Sequence, residues 1–182
     1  MILPRYRVSS VVDLTPELLG GLGISALLLD VDCTLKRYTE DMPSPEVLAW
    51  LRRMREAGIC LCLLSNGKER RISKFAAGVG LPYIAMALKP FPCGCLRAAR
   101  EFGLDRKKTA MVGDQVFADI VAGNLAGMAS VLATPIHPEE EHWFTRVKRP
   151  FEKFVLLFAG GKRWIAGESN AGGGESGETV RR

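Results

Sequence analysis

Short apolar runs alternate along this chain with stretches whose apolar side chains recur at helical spacing. The runs predict strands over Ser25–Val31, Ile59–Leu64, Pro82–Leu88, Thr109–Val112 and Met128–Thr134. The unbroken Ile59–Leu64 run is the mark of a strand covered on both faces. Between the first two strands, Val47, Leu48, Leu51 and Met54 form a stripe that starts after the capping Ser44 and first-turn Pro45 and closes at Ala57-Gly58. Ile72, Phe75, Ala76 and Val79 predict a second helix ending near Gly80, and Leu96, Ala99 and Phe102 a third, stopped at Gly103. A further helix spans about 117–125, and residues 1–23 read as a lead-in with a helical turn after Thr15-Pro16.

This alternation predicts an α/β fold: a Rossmann-like three-layer sandwich with a mainly parallel sheet of about five strands and right-handed crossovers. A chain of 182 residues suits one domain. Its boundaries are drawn at 1–158, and the glycine-rich, polar stretch 159–182 is expected to be a flexible tail. Just before it, Trp143, Phe144, Phe151, Phe154 and Phe158 interleave with Arg146, Lys148, Arg149 and Lys153. Two readings stand for that segment: a last helix packed on the sheet and broken at Pro150, or a surface that rests on anionic membrane.

Composition narrows the classes. Hydrophobic residues at 47% and charged ones at 25% are globular, and the formal net charge of +5 suits nucleic acid, anionic lipid or phosphorylated substrates as partners. No nucleic-acid recognition motif accompanies the charge. Arg5 and Arg7 lead into mixed polar sequence rather than a signal-peptide core, and glycines, Asn124 and prolines interrupt the uncharged run Ile120–Pro138. A soluble, cytoplasmic chain is expected, with a peripheral place on the inner face of the membrane if the C-terminal segment binds lipid. Cysteines at 33, 60, 62, 93 and 95 lack the spacing of a secreted framework and read as reduced thiols. Cys60 and Cys62 read as core residues, and Cys93 with Cys95 has no second pair to complete a zinc site.

The chemistry gathers where apolar runs stop. Asp30 and Asp32 follow the first strand two positions apart, so they point the same way, and such a pair is tolerable beside a divalent cation. Asp30, Ser65, Lys89 and Asp114 each follow a different run, and a parallel sheet would bring them to one edge, where ligands collect. Two clustered acids, another acid, a hydroxyl and a lysine suit phosphoryl transfer.

The segments Asp30-Val31-Asp32-Cys33-Thr34-Leu35, Leu64-Ser65-Asn66, Lys89-Pro90 and Gly113-Asp114 through Asp119 together resemble the haloacid dehalogenase superfamily of aspartate-nucleophile phosphatases. The resemblance implies a haloacid dehalogenase-like fold, Asp30 as nucleophile and Asp32 as general acid and base. It implies Mg²⁺ held by the Asp30 and Asp114 carboxylates and the Asp32 backbone carbonyl, and Ser65, Asn66 and Lys89 as phosphate-binding residues. Thr34 would brace the turn, and Asp119 would support the metal or the lysine. Cys33 stands where asparagine or glycine is more usual. The gaps from Thr34 to Ser44 and from Ser65 to Lys89 are too short for a lid, so a subfamily IIIA type without a cap domain and with an open site is expected. Gly113 through Asp119, Gly123-Asn124 and the lead-in are similar to the phosphatidylglycerophosphatase-like branch. That branch implies a bulky phosphorylated substrate such as phosphatidylglycerophosphate. The rival readings are a phosphatase of a small soluble metabolite and a non-catalytic basic module that binds RNA or protein.

Overall fold

Side chains along Ala26–Leu29 (β2) alternate between two separate cores, Leu27 and Leu29 facing one and Leu28 the other. Cys60–Leu64 (β3) repeats the pattern, with Leu61 and Leu63 in the first core and Cys62 and Leu64 in the second. A strand buried on both sides must be covered by helices on both sides, and this is the arrangement of the computed structural model, which describes residues 2–137 and the backbone of 164–166.

The remaining strands are Tyr6–Val8 (β1), Tyr83–Ile84 (β4), Thr109–Gly113 (β5), Ala129–Ala133 (β6) and Trp164–Ala166 (β7). They form a seven-stranded sheet in the order β4-β3-β2-β5-β6-β1-β7, and every pairing is parallel. The helices are Pro16–Gly21 (α1), Pro45–Glu56 (α2), Glu69–Val79 (α3), Cys93–Glu101 (α4) and Val121–Leu125 (α5). Leu19 of α1, the Val47, Trp50, Leu51 and Met54 stripe of α2 and Ile72, Phe75 and Ala76 of α3 fill the first core. Cys95, Ala98 and Ala99 of α4 and Ala122 of α5 fill the second. The buried Trp50 indole is satisfied by donating from Nε1 to the Leu14 carbonyl at 2.7 Å.

The α/β sandwich and its predicted strands are thus present, with corrections. The lead-in contributes β1, whose Tyr6 and Val8 are buried around a partly exposed Arg7. Inside the stretch expected to be a flexible tail, β7 pairs with β1, so sheet pairing extends past the boundary drawn at residue 158. Cys62 is buried, but Cys60 opens its strand at an exposed position and is not a core residue. The aromatic and basic segment 142–158 lies outside the described residues.

Two features position the site. First, the chain runs outward from β2 in both directions, to β3 and β4 on one side and to β5 and β6 on the other, which makes the gap beyond β2 and β5 the topological switch point. Second, among the described residues no cap domain covers that gap: a turn-rich flap follows Thr34, and α3 and β4 separate Ser65 from Lys89.

Candidate active site

Asp30 ends the paired register of β2 with Leu29 opposite Val112, and its N–H donates to the Val112 carbonyl at 2.9 Å. Asp114 stands one residue beyond β5 on the neighbouring strand. The sheet therefore delivers two acids side by side at its carboxyl edge. Asp30, Asp114 and Asp119 are all buried and each offers an oxygen within 4.8 Å of the others. The Thr34 hydroxyl donates to Asp114 Oδ1 at 3.3 Å, which ties the turn after β2 to the end of β5.

Asp119 reaches this point through a π-turn over Val116–Ile120, in place of the uninterrupted helix that spacing predicts. The Ile120 N–H bonds five residues back to the Gln115 carbonyl, and the Asp119 carboxylate accepts the Gln115 N–H at 3.1 Å. Gly113 makes room for it, because a Cβ there would lie 2.2 Å from Asp119 Oδ2.

Lys89 supplies the cation. Its Nζ donates to Asp30 Oδ1 at 2.5 Å, Asp119 Oδ1 at 2.6 Å and the Leu64 carbonyl at 2.9 Å. One ammonium thus stands between two buried carboxylates. Burial pushes Asp30 up to about 7; Lys89 opposes that and the Asp119 charge adds to it. Asp119 is raised as well, again chiefly by burial. Burial would lower Lys89, but the charges of Asp119 and Asp30 outweigh it and raise the ammonium.

Asp32 faces elsewhere. Arg71 Nη1 and Nη2 hold its two oxygens at 2.8 and 2.6 Å, and Lys36 Nζ lies 3.0 Å from Oδ1. Burial would raise this carboxyl, yet the Arg71 fork and the two cationic charges win and hold it below the usual carboxylate range.

Ser65 Oγ accepts the Gly67 N–H at 3.0 Å, which leaves its own proton to donate. The Asn66 side chain is engaged within the protein. Its amide donates to the Lys89 carbonyl and accepts the Lys89 N–H, both at 2.8 Å, so the side chain clamps the lysine's backbone. The peptide between Lys89 and Pro90 is cis.

Together these side chains line a cavity of about 320 Å³ bounded by Asp30, Asp32, Ser65, Arg71, Lys89 and Asp119 among others. Sequence reasoning brought most of them to the right edge and missed Lys36 and Arg71. Lys36, four residues after Asp32, carried a faint spacing signal; Arg71 looked like any helix-surface cation.

Helices on both faces of a parallel sheet and a carboxylate cluster at its switch point suit a hydrolase of the phosphoryl-transfer kind. Residues 10–127 match the haloacid dehalogenase-like hydrolase family, and the chain belongs to it. It is a phosphatase, a hydrolase of phosphoric monoesters, and the buried acids suit the divalent metal that such phosphatases use. The chain is 30% identical over 154 residues to the probable phosphatase YqeG of Bacillus subtilis (strain 168), covering 85% of this chain and 89% of that protein. It is 26% identical over 174 residues to phosphatidylglycerophosphate phosphatase 1, chloroplastic/mitochondrial, of Arabidopsis thaliana, covering 90% of this chain but only 48% of that longer protein. Among solved structures, the cobalt-bound deoxy-D-mannose-octulosonate 8-phosphate phosphatase of Haemophilus influenzae aligns with a TM-score of 0.52 at 18% identity over 72% of this chain and 76% of that one. The putative 3-deoxy-D-manno-octulosonate 8-phosphate phosphatase of Vibrio cholerae aligns with a TM-score of 0.51 at 16% identity, covering 72% and 80%. At these identities the two structures bear on the fold alone.

Proposed function

We propose that this phosphatase is Mg²⁺-dependent, works through an aspartyl-phosphate on Asp30, and acts on a phosphorylated lipid headgroup of the phosphatidylglycerophosphate type. The observation that carries the chemistry is the meeting of Asp30, Asp114 and Lys89 at the sheet's switch point. Among the described residues, Asp30, Asp32, Asp114 and Asp119 face Lys36, Arg71 and Lys89, an excess of one negative charge that would repel a phosphate dianion. A divalent cation reverses that sign. The carboxylates of Asp30 and Asp114 and the backbone carbonyl of Asp32 would hold Mg²⁺, whose charge would keep Asp30 ionised and offset charge on the phosphoryl oxygens.

An Asp30 oxygen attacks phosphorus, the ester P–O bond breaks, and the leaving oxygen takes a proton from Asp32, which has to enter this step protonated although Arg71 and Lys36 favour its carboxylate form. Asp32 then draws a proton from water, whose oxygen attacks the aspartyl-phosphate and releases phosphate and the Asp30 carboxylate. The Ser65 hydroxyl donates to the oxygens of the transferring group, and Lys89 turns to them the N–H that Asp30 gives up as it attacks.

The lipid reading is supported by the rim. Lys89 is borne on a loop whose inward residues, Ala87 and Lys89, are buried, while Met86, Leu88 and Phe91 point outward at 62%, 62% and 67% exposure. Met86 and Leu88 hold φ angles of 49° and 58°. The Met86 N–H bonds to the Gly67 carbonyl and the Ala87 N–H to the Ser65 carbonyl, both at 3.0 Å, so the platform is fixed and cannot fold its apolar tips away. Transfer of each such side chain into an apolar phase is worth about 1.5–3 kcal/mol. Exposed Lys68 and Arg70, with Glu69 between them, follow Gly67 and leave a net positive charge that suits an anionic surface. No helix among the described residues is long and apolar enough to cross a membrane, so contact with lipid would be made at the surface.

Phosphate release from phosphatidylglycerophosphate in vesicles, from its deacylated headgroup and from sugar phosphates, with Mg²⁺ and with EDTA, tests both levels. Release that needs Mg²⁺ and is fastest on the lipid is expected. Hydrolysis of sugar phosphates with none of the lipid would remove the lipid reading, and EDTA-insensitive hydrolysis the metal. Leu88→Asp with Phe91→Asp is expected to lower the vesicle rate relative to the deacylated headgroup by about tenfold.

A further inference from the structure

We propose that Arg71 forms a subsite for a second anionic group, a phosphodiester carried on the leaving-group side of the substrate. The inference rests on the phosphatase reading above and deepens it.

Each Asp32 oxygen already holds a cation. The Arg71 fork takes both, and Lys36 shares one of them. A residue that must face the leaving oxygen has to give up a partner when substrate enters. The two cations differ in how readily they yield. Lys36 is buried at 5% exposure and fixed a second time by donating to the Arg37 carbonyl at 3.1 Å. Arg71 is a long side chain, 47% exposed, reaching in from the first turn of α3. Arg71 is therefore the partner that leaves, and Asp32 keeps the charge of Lys36.

The displaced guanidinium still lines the cavity. Gly67, directly after Asn66, leaves room for the guanidinium where it now lies: a Cβ there would fall 2.4 Å from Arg71 Nη2, the atom that holds Asp32 Oδ2. A planar fork beside the leaving group is matched by an anion with two oxygens in the same plane, as Asp32 now matches it. A lipid headgroup and its deacylated fragment both carry such a diester next to the phosphomonoester.

The test compares three substrates in Arg71→Gln and Arg71→Lys: deacylated glycerophosphoglycerol phosphate, its short-chain diacyl form, and glycerol 3-phosphate, which lacks the diester. In Arg71→Gln the ratio of kcat/KM for either diester-bearing substrate to that for glycerol 3-phosphate is expected to fall about 10- to 100-fold, mainly through KM. Arg71→Lys restores part of it, because charge returns without the fork. An equal loss on all three substrates, seated in kcat, would mean that Arg71 only orients Asp32 and overturns the proposal. A loss confined to the diacyl form would assign Arg71 to the membrane surface and overturn it too. A second arm does not depend on turnover: glycerophosphoglycerol, a diester with no monoester, is titrated calorimetrically into Asp30→Asn and into Asp30→Asn with Arg71→Gln. Heat of binding to the first and not the second is expected; none to the first sinks the subsite. Absence of hydrolysis with Mg²⁺ on every substrate would instead defeat the catalytic reading, while this arm still reports on Arg71.

Discussion

Asp30→Asn is expected to abolish phosphate release, by at least about a thousandfold, in a protein that stays folded. The amide matches the carboxylate in shape but cannot attack phosphorus. Its loss also removes one of the two acids that share the Lys89 ammonium, so the fold gives up a strained charge rather than a needed one. The pH dependence makes this visible in the metal-free chain. Burial raises Asp30 to about 7, above the ~4 of an unfolded aspartate, so between those values the folded state holds a proton that the unfolded state has lost. Stability contributed by this group is complete below the unfolded pKa and declines as pH rises through the folded one. Thermal melts of metal-free wild type are therefore expected to lose midpoint between about pH 4 and pH 7, and those of Asp30→Asn to lose less over the same window. Phosphate release by Asp30→Asn within tenfold of wild type would move the nucleophile elsewhere.

Lys89→Met has the largest expected effect on the fold. The Lys89 side chain is 3% exposed and lies between carboxylates that are 9% and 1% exposed, so its loss leaves like charges buried together with no cation between them. Removing one partner of such a group costs about 3–5 kcal/mol, which equilibrium denaturation in urea would read directly. Activity is expected to vanish as well. Adding Asp119→Asn should return much of the stability by removing one of the orphaned charges, yet none of the catalysis, since the phosphoryl group would still lack its ammonium. A Lys89→Met protein as stable as wild type would show that the two acids do not depend on this lysine.

The readability of the site divides along physical lines. Asp30, Ser65, Lys89 and Asp114 were legible because each interrupts or follows an apolar run, and parallel strands must end together. Arg71 and Lys36 were not, because a cation on a helix or flap looks the same in sequence whether it meets water or a carboxylate. Asn66 carried the right residue type in the right motif, and only coordinates show both ends of its amide spent on Lys89. The strands Tyr6–Val8 and Trp164–Ala166 are too short to display a period of their own. Their identity as strands comes from the neighbours they pair with. The π-turn that aims Asp119 inward carries no signature in its sequence, since Val116 to Leu125 would serve an ordinary helix equally well.

From Ala85 to Pro90 buried and exposed side chains alternate, with Ala85, Ala87 and Lys89 inside and Met86, Leu88 and Pro90 outside. Reading frame within this segment is consequently a functional property: adding or deleting a single residue would send a leucine inward and the ammonium out. Homologous chains should accept varied apolar side chains on its outer face while keeping its length unchanged.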